Sequence, residues 1–135
     1  MTIATHPSPS DANGLQRGIV LFAHGSRDPL WHRPMQAVAQ QMLKNSTALG
    51  VECAYLELST PDLPTACRSL LARGVRAITI VPMFLGVGKH AREDLPVLVE
   101  ALRANHADTV FELQSAVGEN PRLIALLADI ALERP

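Results

Sequence analysis

Gly18-Ile19-Val20-Leu21-Phe22-Ala23 is a short, almost unbroken apolar run, and His24-Gly25-Ser26-Arg27-Asp28-Pro29 follows it directly. A run of this kind predicts a strand covered on both faces, as in a parallel sheet. Downstream of it, Met35, Val38, Ala39, Met42 and Leu43 recur at helical spacing from Pro34 onward, with Gly50 as the stop signal. Val51 to Leu58 then predicts a second strand, interrupted by Glu52 and Glu57.

Ser59-Thr60-Pro61-Asp62 predicts the opening of a second helix, with a capping residue followed by Pro in the first turn. That helix carries Leu63, Ala66, Leu70 and Leu71 and stops at Gly74. Arg76 to Phe84 contains the β-branched, apolar segment of a third strand, which Pro82 helps to end. The loop Leu85 to Lys89 leads to a third helix with Leu95, Leu98, Val99 and Leu102. Thr109 to Leu113 predicts a fourth strand. Gly118-Glu119-Asn120-Pro121 opens a last helix with Leu123, Ile124, Leu127 and Ile130 directed inward.

Strands alternating with amphipathic helices predict an α/β fold: a four-stranded parallel sheet, right-handed crossovers, and helices on both faces. The first and third strands are the most apolar and belong in the centre. The second and fourth carry glutamates and suit the edges, so the expected order is 2-1-3-4. With 135 residues the chain fits one domain, over 18–135, preceded by a polar leader at 1–17 that reads as disordered.

Apolar residues make up 47% of the chain and charged residues 19%, enough to form a core without staples. The net charge of −1 gives no basic excess for a nucleic-acid surface and no reason to expect a membrane partner. Cys53 and Cys67 lack C-x-x-C spacing and are too few for a disulfide framework, so they read as reduced thiols in or near the core. The leader has no apolar segment typical of a secretory signal, and the cytoplasm is the expected compartment.

In open parallel sheets ligands bind beyond the carboxyl ends of the strands, where the strand order switches direction. For order 2-1-3-4 that crevice lies between strands one and three. His24 follows the first strand, Glu57 ends the second, and His90 closes the loop after the third, so all three belong to one rim. Two imidazoles and a carboxylate suit a divalent first-row metal with a coordination position left open. Taken singly, His24 could be a turn residue, Glu57 a solvated edge carboxylate and His90 a helix cap. His32 and His106 have no partner in the sequence pattern and read as solvated; His6 falls in the leader. Gly86 and Gly88 lack both nucleotide-binding spacings and read as a loop able to close over a bulky ligand. Arg27, Lys89 and Arg92 add positive charge at the same rim, suited to a carboxylate-rich substrate.

The stretch Phe22 to Pro29 with Trp31, then Tyr55-Leu56-Glu57, then Val81 to Leu85, Gly88-Lys89-His90 and Glu93-Asp94-Leu95-Pro96 resembles the class II chelatases. The resemblance is greatest to the CbiX and SirB group, the sirohydrochlorin chelatases of cobalamin and siroheme synthesis, and runs from about Gly18 to the C-terminus. It implies ATP-independent insertion of Co²⁺, Fe²⁺ or Ni²⁺ into a tetrapyrrole. The metal is then a substrate, and no organic cofactor is implied. It also implies catalytic roles for His24 and His90, a metal set of His24, Glu57 and His90, and substrate contacts from Ser26, Arg27, Gly86, Gly88 and Lys89. Longer members carry two such halves around one cleft, so a single half implies a homodimer. A histidine-phosphatase reading would require arginine just before the first-strand histidine, where this chain has Ala23. A metal-binding or metal-delivery module could use the same three ligands.

Overall fold

The computed structural model describes residues 17–133. Four strands, β1 (Arg17–Ala23), β2 (Leu49–Tyr55), β3 (Ala77–Pro82) and β4 (Val110–Leu113), alternate with helices α1 (Arg33–Asn45), α2 (Leu63–Ala72), α3 (Lys89–Asn105) and α4 (Pro121–Ala131). The strands form one parallel sheet in the order β2-β1-β3-β4, as the hydrophobicity of each run predicts. The leader at 1–16 lies outside the described residues. Arg17, counted with that leader, is the first residue of β1.

The alternation of β1 divides the core. Val20 and Phe22 face α2 and α3, where they meet Leu63, Ala66, Cys67, Leu70, Leu95 and Val99. Ile19, Leu21 and Ala23 point the other way and pack with Tyr55 and with Met35 of α1. Burial of these fully enclosed side chains stabilises the sheet by about 1.5–3 kcal/mol each. Cys67 is buried among them, and loss of solvent pushes its thiol up to about 12, so it stays protonated and inert.

Four local expectations are corrected. Gly50 is not a helix stop: α1 ends at Asn45, and Gly50 lies inside β2, paired with Gly18. Strand two ends at Tyr55, so Glu57 stands on the loop beyond it. The cap of α2 is Asp62, whose carboxylate accepts from the Thr65 N–H at 2.9 Å, and the first-turn proline is Pro64, not Pro61. The last correction concerns α4, which buries no residue. Ile124, Leu127 and Ile130 are about half exposed because this helix packs mainly on the 3₁₀ turn Val117–Glu119 and not on the sheet. No described helix is long and apolar enough to cross a membrane.

Candidate functional site

The strands that carry the site end at one level. Ala23 pairs with Tyr55, and Phe22 with Pro82. The ladder runs one rung further on each side, with the Leu56 N–H donating to Ala23 O at 2.8 Å and the Met83 N–H to Phe22 O at 2.7 Å. His24, the Glu57 loop and the loop from Met83 to His90 therefore leave the sheet along a common carboxyl-end rim, where α/β proteins bind ligands.

His24 and Glu57 meet directly, with Nδ1 2.9 Å from Oε1. The second carboxylate oxygen accepts from the Gly25 N–H at 2.7 Å. Both contacts favour the ionised carboxylate, the His24 hydrogen bond more than the Gly25 one, and they hold the Glu57 carboxyl below the usual carboxylate range. A carboxylate can only accept, so Nδ1 of His24 carries the proton, and in the neutral ring Nε2 presents its lone pair. His24 and Glu57 stay 54% and 43% exposed, open to a large ligand. Each Glu57 oxygen keeps a second lone pair beyond the hydrogen bond it accepts.

The sign of the Glu57 shift gives a test. With its folded pKa lowered, the group's contribution is fully present above the unfolded value near 4.5 and is lost as pH falls through the lower folded value. Carboxyl-carbon NMR is expected to place the Glu57 midpoint below 4.5. His24→Ala should move it upward. An unmoved midpoint in that variant would show that the His24 contact does not hold the charge.

The two loops fit tightly. A Cβ on Gly25 would lie 1.8 Å from Glu57 O, so the close approach of residues 25 and 57 requires glycine. Beyond Glu57, the Ser59 N–H donates to Glu57 O at 2.8 Å, closing a three-residue turn over Leu58, whose φ is 66°. Such a conformation in a bulky residue costs on the order of 1–3 kcal/mol and persists only where neighbours hold it.

His90 is the second residue of α3 and is exposed at its base. It shares a small cavity of about 50 Å³ with Phe22, Leu56 and Phe84. The Phe84 ring also lies 4.9 Å from the His24 ring, so one aromatic side chain links the surroundings of both histidines. Among the described residues, no three His, Cys, Asp or Glu side chains gather closely enough to enclose a metal ion. His24 and Glu57 are brought into contact, and His90 does not join them in such a group.

The loop carrying His90 is anchored at both ends. The Gly118 N–H donates to Phe84 O at 2.9 Å, and Arg92 Nη1 donates to Val87 O at 2.7 Å. That spends Arg92, expected among the free rim cations, on the backbone. A Cβ on Gly86 or Gly88 would meet nothing within 4 Å, so neither glycine is needed for space. Lys89 is exposed at the start of α3. Ser26 and Arg27 line an open depression of about 460 Å³ with Pro29, His32, Leu58, Ser59 and Thr60. Arg27 is exposed there.

Three residues of this neighbourhood make contacts that the sequence does not announce. His32, expected to be solvated, is half-buried, with its ring 4.6 Å from Tyr55 and Nε2 3.0 Å from Ser59 Oγ. Trp31 donates from Nε1 to His24 O at 2.8 Å. Ser59 bonds to both polar backbone atoms of Ser26. The sequence marks Trp31 only as part of the first motif, His32 only as its near neighbour and Ser59 only as the expected opening of the second helix.

The CbiX family model matches residues 18–133. The sirohydrochlorin cobaltochelatase of Methanocaldococcus jannaschii is 32% identical over 88 residues, 65% of this chain and 62% of that protein. The sirohydrochlorin cobaltochelatase of Saccharolobus solfataricus is 35% identical over 82 residues, 61% of this chain and 62% of that protein. The matched stretch thus spans less than two thirds of the length of these relatives. A CbiX protein from Marinobacter aquaeolei VT8 superposes with a TM-score of 0.73 at 35% identity, covering 85% of this chain and 93% of that one. The sirohydrochlorin chelatase SirB from Bacillus subtilis subspecies spizizenii, solved with cobalt, has the same fold. Its TM-score is 0.71 at 21% identity, covering 87% of this chain and 52% of that one. The family match takes in nearly the whole described chain: it belongs to the CbiX family.

Proposed function

We propose that this protein inserts a divalent metal ion, Co²⁺ in first place and Fe²⁺ or Ni²⁺ as alternatives, into sirohydrochlorin without ATP. The route served is tetrapyrrole biosynthesis of the cobalamin or siroheme type. The observation that carries this reading is the exposed His24–Glu57 pair, which leaves the His24 Nε2 lone pair free at a rim shared with His90. Family membership and the names of the cobaltochelatase relatives support the same reaction.

Insertion forms bonds from the metal to the ring nitrogens and releases two protons from the two pyrrole N–H groups. The unprotonated ring nitrogens of His24 and His90 hold the incoming metal and, once it has passed to the ring nitrogens of the macrocycle and vacated them, take up the released protons and pass them on to water. Glu57 stays ionised, adds a negative charge to the metal, and offsets the imidazolium that forms on His24. A ligand set with coordination positions left open binds the cation without trapping it, which transfer to the macrocycle requires. Ser26, Arg27 and Lys89 orient the carboxylate arms of the substrate, and Gly86 and Gly88 lie on the loop that borders it.

Two copies complete the cleft. The uncovered Ile124, Leu127 and Ile130 surface of α4 supports this self-association.

The test is anaerobic incubation with sirohydrochlorin and each metal in turn, following macrocycle absorption. Insertion faster than the uncatalysed rate is expected, fastest with one metal. Tight metal binding with no acceleration for any metal would replace this reading with metal delivery.

A further inference from the structure

We infer that Ser59, held by His32, is a positioning residue that sets the geometry of the His24–Glu57 pair; its kinetic consequence rests on the reaction proposed above. The loop after β1 and the loop after β2 are tied by two successive rungs. In the first, the Gly25 N–H donates to Glu57 Oε2 at 2.7 Å. In the second, the Ser26 N–H donates to Ser59 Oγ at 2.9 Å, and that hydroxyl donates back to Ser26 O at 2.7 Å. Ser59 therefore satisfies both polar backbone atoms of the residue next to Gly25.

Proton bookkeeping then defines His32. A serine hydroxyl has one proton, and Ser59 spends it on Ser26 O. His32 Nε2, 3.0 Å from the same oxygen, must be the donor, so the ring carries its proton on Nε2. Stacking on Tyr55 at 4.6 Å keeps that ring in place. The opposite tautomers of the two histidines thus have separate causes: Glu57 selects Nδ1–H in His24, and Ser59 selects Nε2–H in His32.

The arrangement matters because Glu57 stands on a strained turn. Leu58 has φ 66°; the Ser59 N–H to Glu57 O bond closes the turn directly over it, and the Tyr55 N–H to Pro61 O bond at 2.9 Å closes the base of the loop without contacting Glu57. With Ser59 anchored to Ser26 and His32, Glu57 is fixed opposite both His24 and Gly25. Without that anchor Leu58 can relax and carry the carboxylate away. Partners that orient a metal-binding histidine or carboxylate typically change metal affinity or activity by about 10–100-fold when removed.

The experiment compares wild type with Ser59→Ala, Ser59→Thr and His32→Leu. Imidazole ¹⁵N spectra of the metal-free protein are expected to show His24 as Nδ1–H in wild type and as a tautomer mixture in Ser59→Ala. Titration with Co²⁺ alone should show affinity weakened about 10-fold or more in Ser59→Ala and His32→Leu, with recovery in Ser59→Thr. Insertion assays should show the loss in kcat, with KM for the tetrapyrrole little changed. Unchanged His24 tautomer and Co²⁺ affinity in folded Ser59→Ala or His32→Leu would overturn the inference. Failure of the wild-type protein to insert metal would overturn the reaction alone, since the spectra and Co²⁺ titration need no tetrapyrrole.

Discussion

Replacing His24 with alanine is expected to lower kcat/KM for metal insertion by about 10²–10⁴-fold, the range for removing a positioned acid–base group, while the protein remains folded. The side chain is 54% exposed, so its removal leaves no core cavity. What disappears is the imidazole whose tautomer Glu57 dictates. The Glu57 carboxylate accepts a hydrogen bond from Nδ1–H and leaves Nε2 as the nitrogen able to bind a cation or accept a pyrrole proton. Glu57→Gln should cost less, about 10–100-fold, because the amide can still orient the ring but supplies no charge. The ordering is as informative as the magnitudes. If His24→Ala inserted metal at the wild-type rate with an intact circular dichroism spectrum, the roles assigned to this pair would be wrong.

The sheet was legible because its decisive strands are nearly pure apolar runs. Ile19 to Ala23 and Ile78 to Val81 can satisfy both faces only in the interior, and the glutamates of β2 and β4 mark the edges. The rim position of His24 and Glu57 followed from their place just after strands. Sequence could not show which nitrogen of His24 meets Glu57, since that depends on the angle at which two loops cross. Nor could it show that Gly50 belongs to a strand, because its place is fixed by pairing with Gly18 of β1 and not by its own preferences. His32 was misread for a similar reason: its partner Ser59 lies on another loop, which only the folded sheet brings near. In α4 the apolar stripe was real, but a pattern says that a face seeks cover and not which surface supplies it.

Gly25→Ala is expected to be a severely damaging single-methyl change at the His24–Glu57 pair. The added Cβ would lie 1.8 Å from Glu57 O, 3.0 Å from Glu57 C and 2.8 Å from Ser59 Oγ. Two of those atoms are backbone, so no side-chain rotation relieves the clash, and the two loops must separate by more than an ångström. Separation strains the Gly25–Glu57 and Ser26–Ser59 rungs together. Overpacking of this kind costs about 1–3 kcal/mol, readable by chemical denaturation. The effect on catalysis should be larger, because misplacing reacting groups by about 1 Å can cost on the order of 10²-fold. Gly86→Ala is the stability control: its Cβ meets nothing within 4 Å, and its denaturation midpoint should stay near wild type. If Gly25→Ala matched that control in stability and kept the His24 tautomer, the loops would have room that the structure denies them. If it lost activity and stability together, the contact between residues 25 and 57 would stand as the constraint that brings an imidazole from one strand end to a carboxylate from the next.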